Sequence, residues 1–126
     1  MSYDKNNIFA KILRKEIVCK KIFENDHVLS FHDINPQKKI HALVIPKGEY
    51  IDLDDFNNRA SDQEIVALSK AITEVSKILG MGEGYRALTN LSEDGGQEVP
   101  HLHFHLFGGE KVGKMVEWQK KFFGVI

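Results

Sequence analysis

His101-Leu102-His103-Phe104-His105-Leu106 alternates imidazoles with large apolar side chains, and period-two alternation sorts residues onto the two faces of a β-strand. The stretch reads as a strand with three histidines on one face and Leu102, Phe104 and Leu106 turned to a core. It holds half of the chain's six histidines, with Gly95-Gly96 just before it and Gly108-Gly109 ending it. Side chains two apart on a strand lie roughly 6 to 7 Å from one another, so a group of phosphate size is within reach of all three rings. The segment reads as the floor of an active site.

A neutral imidazole, with a pKa of about 6.5, offers a free nitrogen at pH 7 as nucleophile, base or ligand. A middle ring flanked by two proton donors suits attack on phosphorus, giving a nucleotidyl-histidine that water then hydrolyses. Zinc is the competing reading, because imidazoles at i and i+2 can share one metal and His41 can complete the sphere. The single cysteine, Cys19, has no CxxC partner, which excludes a thiolate-rich zinc site and an internal disulfide.

The chain frames this segment economically. Its 126 residues suit one domain, and 42% hydrophobic with 28% charged content is ordinary for a soluble protein. A net charge of -1 gives no basic field for nucleic acid or an anionic membrane, so a phosphate must be held by local groups. No apolar run approaches about 18 residues and no signal-type segment follows Met1, so the reading is cytoplasmic.

Ile8, Phe9, Ile12 and Leu13 fall at helical spacing within 7–15, after capping candidates between Asp4 and Asn7. Residues 20–24 and 28–32 read as strands about Asn25-Asp26, and 39–46 as a third after Asn35-Pro36, together an antiparallel meander. Ser61 and Glu64 make a capping-box pattern ahead of an apolar stripe, Ile65, Leu68, Ile72, Val75 and Leu79, that Gly80 terminates. A strand over 85–89, a loop over 90–99 and the histidine strand follow. Strands grouped around two helices without a βαβ rhythm argue an α+β fold on a five-stranded antiparallel sheet.

Adjacent glycines in Leu91-Ser92-Glu93-Asp94-Gly95-Gly96-Gln97 let backbone approach a ligand and turn amides toward phosphate oxygens. By composition Ile8, Phe9, Phe31 and Ile34 read equally as core residues or as a purine sandwich, with Asp33 able to accept from two vicinal ribose hydroxyls. His32 alternates away from Phe31 and Asp33 and stays outside that site.

His101 to Phe107 matches the His-φ-His-φ-His-φ-φ signature of the histidine triad (HIT) superfamily. The chain resembles its Hint branch of nucleotide-binding phosphoramidases through Asn7-Ile8-Phe9-Ala10-Lys11-Ile12, Phe31-His32-Asp33-Ile34-Asn35-Pro36, His41-Ala42-Leu43-Val44-Ile45-Pro46-Lys47, Gly84-Tyr85-Arg86, Asn90 and Asp94-Gly95-Gly96-Gln97. These stretches cover most of residues 7 to 109, with 110–126 as a C-terminal tail of one HIT domain spanning 1–126.

The resemblance implies hydrolysis of a purine nucleoside 5'-phosphoramidate, with no cofactor and no metal. His103 attacks the α-phosphorus, His105 and His101 orient or neutralise the site, and His41 falls at the family's fourth active-site histidine. Asn90, Gly96, Gln97 and Glu98 are assigned to phosphate and leaving-group contacts beside His103 and His105. The resemblance also favours the nucleoside pocket for Phe31, Asp33 and Ile34. The implied partners are an AMP- or GMP-type substrate and a second copy of the chain, with no nucleic acid and no membrane. A dinucleoside polyphosphate hydrolase or nucleotidyl transferase of the same superfamily is the alternative enzyme, and a nucleotide-binding scaffold the alternative of another class.

One position departs from the Hint pattern. Glu98 stands where that branch commonly has serine, and a carboxylate near phosphate repels it unless protonated or turned outward, which favours amine leaving groups. Pro100 before His101 suits a strand start or an edge. Val116, Trp118, Phe122, Phe123, Val125 and Ile126, with the long helix and the 85–89 strand, offer more apolar surface than one small domain buries. The resemblance makes that surface the seam of a two-fold homodimer, whose tail reaches the neighbouring site through Trp118.

Overall fold

A computed structural model describes residues 2–116. Strands β1 (Lys21–Glu24), β2 (Val28–His32), β3 (Ile40–Pro46), β4 (Arg86–Leu88) and β5 (Phe104–Gly108) form one sheet in the order β1-β2-β3-β5-β4, every pairing antiparallel. The helices are α1 (Ile8–Leu13), α2 (Leu53–Arg59) and α3 (Asp62–Ile78). The α+β architecture and the β1-β2-β3 meander are those the spacing implies. Trp118, Phe122, Phe123, Val125 and Ile126 lie outside the described residues.

Local chemistry explains the joints. Asn25 Oδ1 accepts from the amides of His27 and Val28 at 2.8 and 2.9 Å, turning β1 into β2. Asn7 caps α1 by accepting from the Ala10 amide at 2.9 Å. Ser61 and Glu64 complete the reciprocal capping box of α3, and Gly80 follows the helix at φ +68°.

β3 is buried along almost its whole length because both faces of the sheet are covered. Ala42 and Val44 join Leu68, Ala71 and Val75 of α3 in one core. Leu43 and Ile45 join Phe9 and Ile12 of α1, with Leu29 and Phe31 of β2, in the other. His41 shares the parity of Leu43, and β5 pairs Leu43 with His105 and His41 with Phe107. That face holds His41 and His105, while Leu102, Phe104 and Leu106 pack toward α3.

Two features differ from the sequence reading. The histidine strand begins at Phe104, so His101 and His103 lie in the approach to it. Continuing the β3–β5 register would set Leu102 opposite Pro46, and proline has no N–H for a ladder bond. Leu102 N–H donates instead to the Tyr50 carbonyl at 2.8 Å. Secondly, α2 joins the two helices read from the sequence. Asp52 caps it by accepting from the Asp55 amide at 2.8 Å, and it has one fully buried anchor, Phe56.

Candidate active site

A cavity of about 260 Å³ opens on the α1 side of the sheet. Phe9 of α1, Leu43 of β3 and Asp33 just after β2 form one wall, and His103 and His105 form its floor. The 90–99 loop contributes Asn90, Gly96, Glu98 and Val99. Larger surface hollows, of about 400 Å³ beside Tyr3 and Arg59 and about 570 Å³ over Ile12 and Leu29, contain no histidine.

The imidazoles are wired so that their partners dictate their tautomers. His101 is fully buried. Its Nε2–H donates to the Pro46 carbonyl at 2.9 Å, and its Nδ1 accepts from the Tyr3 hydroxyl at 2.6 Å. His103 Nδ1–H donates to the His101 carbonyl at 2.7 Å, leaving the lone pair on His103 Nε2. Thr89 Oγ1 donates to the His103 carbonyl at 2.6 Å and holds the backbone at that point.

The second pair follows the same logic. Gln37 N–H donates to His41 Nδ1 at 3.1 Å, so the proton of neutral His41 sits on Nε2. That nitrogen donates to His105 Nδ1 at 2.9 Å, which places the His105 proton on its Nε2. The pocket floor thus presents a ring with a lone pair at Nε2 beside a ring with a proton at Nε2, their centroids 5.0 Å apart.

Burial keeps the set neutral, since a charged ring loses its hydration. It pushes His101 down to about 4, and His105 to about 4 with help from neighbouring His103 and His41. It also lowers His41, against the pull of Asp33. His103 is lowered by burial too, opposed by its bond to the His101 carbonyl and by Asp33 and Glu98.

His101 is the main correction to the sequence reading. It does not line the cavity, and both its ring nitrogens are taken inside the fold, so one ligand cannot touch all three rings and His103 has one flanking donor. Its carbonyl accepts from His103 Nδ1–H, while its ring is anchored to Tyr3 and Pro46. Tyr3 was missed because a tyrosine far along the sequence carries no local signal. Thr89 lay inside the 85–89 strand, where alternation shows a face but no function.

The other residues divide into wall, rim and brace. Phe9 meets the His103 ring edge-on at 4.9 Å, with buried Phe31 behind it at 5.7 Å. Ile8 and Ile34 are 45% and 99% exposed, which puts them outside the cavity wall. The Gly96 and Gln97 amides do not turn outward as the glycine pair implied. They donate to the Glu93 and Ser92 carbonyls. The Gln97 side chain ties the loop to Ile51 O at 2.6 Å and Val99 O at 3.0 Å, while its Oε1 accepts from the Ser92 amide. Asn90 donates across the loop to Gly95 O at 2.6 Å.

Asp33, His41 and His105 bring three potential metal-ligand atoms within 4.8 Å of one another. The tautomers oppose a cation there. Gln37 holds His41 Nδ1 as an acceptor, so a metal on Nε2 would have to displace that ring's only proton and leave an imidazolate. Of the zinc set read from the sequence, His101 has no free nitrogen. The donor set fits a hydrogen-bond relay better than a metal centre.

On one face of the α+β sheet, His103 just ahead of β5 thus offers a ring nitrogen with a free lone pair beside the proton-bearing His105 of β5. The HIT domain model matches residues 14–112, and the chain belongs to that family. It is 56% identical over 116 residues to a 13.2 kDa HIT-like protein from Azospirillum brasilense, covering 91% of this chain and 95% of the relative. A solved HIT family hydrolase from Clostridium thermocellum superposes with a TM-score of 0.82 at 36% identity, covering 90% of this chain and 99% of that one. A histidine triad protein from Clostridium difficile gives 0.78 at 37% identity, covering 90% and 98%. The chain therefore has the fold of HIT family hydrolases.

Proposed function

We propose that the chain hydrolyses purine nucleoside 5'-phosphoramidates, as Hint-branch proteins do, through a nucleotide carried on His103. The observation that carries this reading is the His103 tautomer. With Nδ1–H held on the His101 carbonyl, Nε2 keeps its lone pair at the cavity floor. It attacks the α-phosphorus, a P–N bond to His103 forms, and the P–N bond to the amine breaks as the departing nitrogen takes a proton from solvent. Water then attacks phosphorus, the electron pair returns to Nε2, and the proton released from water balances the one the amine took. His105 Nε2–H donates to a non-bridging oxygen as charge grows there. Asp33 takes the ribose, with the purine against Phe9, which Phe31 backs from within the core, and toward the Ile8 and Ile34 rim.

Charge selects among substrates. Asp33 and Glu98 both line the cavity, no lysine or arginine does among the described residues, and the imidazoles are neutral at pH 7. Such a site favours a phosphorus centre of single negative charge with an amine leaving group over a polyanionic dinucleoside polyphosphate. Glu98 faces the leaving group in this reading.

Adenosine 5'-phosphoramidate is the test substrate. His103→Ala should lose nearly all turnover while AMP affinity stays within about tenfold, roughly 1.4 kcal/mol. An acid-labile adduct should map to His103, and chelation should leave turnover intact. Full activity in the variant overturns the nucleophile, and activity lost to chelator but restored by zinc overturns the metal-free reading. A wild type that binds AMP tightly without turnover supports the scaffold instead.

A further inference from the structure

We propose that Asp33 couples ribose recognition to the His41–His105 pair, so that a bound nucleoside strengthens the hydrogen-bond donor at His105. This inference rests on the nucleotide reading above. Asp33 is held from two sides. Its backbone N–H donates to the His41 carbonyl at 2.9 Å, and its Oδ1 accepts from the Asn35 amide at 2.8 Å. The remaining oxygen, Oδ2, lies 3.4 Å from His41 Nε2, and Asp33 also lines the cavity.

His41 Nε2–H therefore stands between two acceptors, the near His105 Nδ1 at 2.9 Å and the more distant but charged Asp33 Oδ2. The other groups packed on the pair do not compete for this proton. Gln37 presents an N–H, and the Phe107 ring lies 4.3 Å from His41 and parallel to His105. His103 commits its Nδ1–H to the His101 carbonyl. Among the described residues, Asp33 alone draws the proton away from His105.

A ribose diol that donates to Oδ2 spreads the carboxylate's charge over new hydrogen bonds and weakens its pull on His41. The His41 N–H then commits to His105 Nδ1. Donation into one nitrogen of an imidazole makes the N–H at the other a better donor, so His105 Nε2–H strengthens where the phosphoryl oxygen lies. The sugar contact is then expressed in kcat, since it is realised at the transition state and not in ground-state binding alone.

Two measurements test the coupling. With ¹⁵N-histidine-labelled protein, saturating AMP should shift the His105 Nδ1 and His41 Nε2 resonances well beyond the shift given by saturating 2',3'-dideoxy-AMP, whose phosphate acts on His105 without the ribose contact. Identical shifts from both nucleotides overturn the coupling. In turnover, deleting both ribose hydroxyls of the phosphoramidate should lower wild-type kcat by about tenfold, and by less than about twofold in Asp33→Asn. A loss confined to KM, or an undiminished kcat loss in Asp33→Asn, overturns it. AMP-specific shifts in a chain without turnover would uphold the coupling and sink the hydrolase reading. Turnover with indistinguishable shifts does the reverse.

Discussion

At the scale of single residues, four imidazoles are held neutral by burial and by partners that accept or donate one proton each. Burial depresses His101 and His105 to about 4 and lowers His41 and His103, whereas in the unfolded chain they titrate near 6.5. Between those values the unfolded chain binds protons that the native one refuses. Stability is therefore full above about 6.5 and falls as pH drops toward 4. Carboxylates held low, Glu24 and Asp55 at about 2, lose their contribution only at more acid pH. Urea midpoints should thus fall between pH 7 and 4.5, and a constant midpoint would contradict the buried neutral rings. The nucleophile should keep its activity plateau below pH 6.5, because His103 resists protonation. Alternation exposed His103 and His105 because it survives at the strand's beginning. It put His101 on the same face, against Phe9, but did not show that its ring is taken up by Tyr3 and Pro46, since nothing within 101–106 shows that the ladder halts opposite Pro46.

At the scale of elements, the 90–99 loop is cross-tied by its own amides, Asn90 and Gln97, which satisfy one another. Gly95 is required by close approach, for a Cβ there would press into the Leu91 carbonyl oxygen and amide, and Gly96 adopts φ +75°. Gly95→Ala should displace the loop and weaken AMP binding by about tenfold, roughly 1.4 kcal/mol. Calorimetric titration would show this, and unchanged affinity would mean that the loop does not shape the site. The long helix α3 was legible because its capping box and apolar stripe agree over many residues. The short α2 was not, though Asp52 and Asp55 stand at capping positions. Seven residues with one buried anchor carry too little periodicity to separate a helix from a polar loop. The glycine pair marked the loop's place correctly but not its use, because backbone donors can be consumed locally.

At the scale of the whole molecule, β4 is an edge strand, and Tyr85, Val66 and Ile78 are 37%, 50% and 54% exposed nearby in the chain or on α3. We propose this surface as the homodimer seam. Light scattering should give twice the 14.4 kDa chain mass, with Val66→Glu shifting it toward one copy. A single-copy mass for the wild type at micromolar concentration rejects it. Sequence exposed the surplus of apolar surface but not where it is covered, since burial is decided by contacts between distant segments. One such contact spans nearly the chain's length, for the Tyr3 hydroxyl reaches His101 across a separation of 98 residues. Contacts between segments so distant in sequence slow folding, because chain entropy is lost before they form. The sheet can form with the His101 ring still unclamped, so catalytic competence should be the last property gained on refolding. Recovered turnover would then trail the far-ultraviolet dichroism, and Tyr3→Phe would blur the lag by leaving the last step without its clasp.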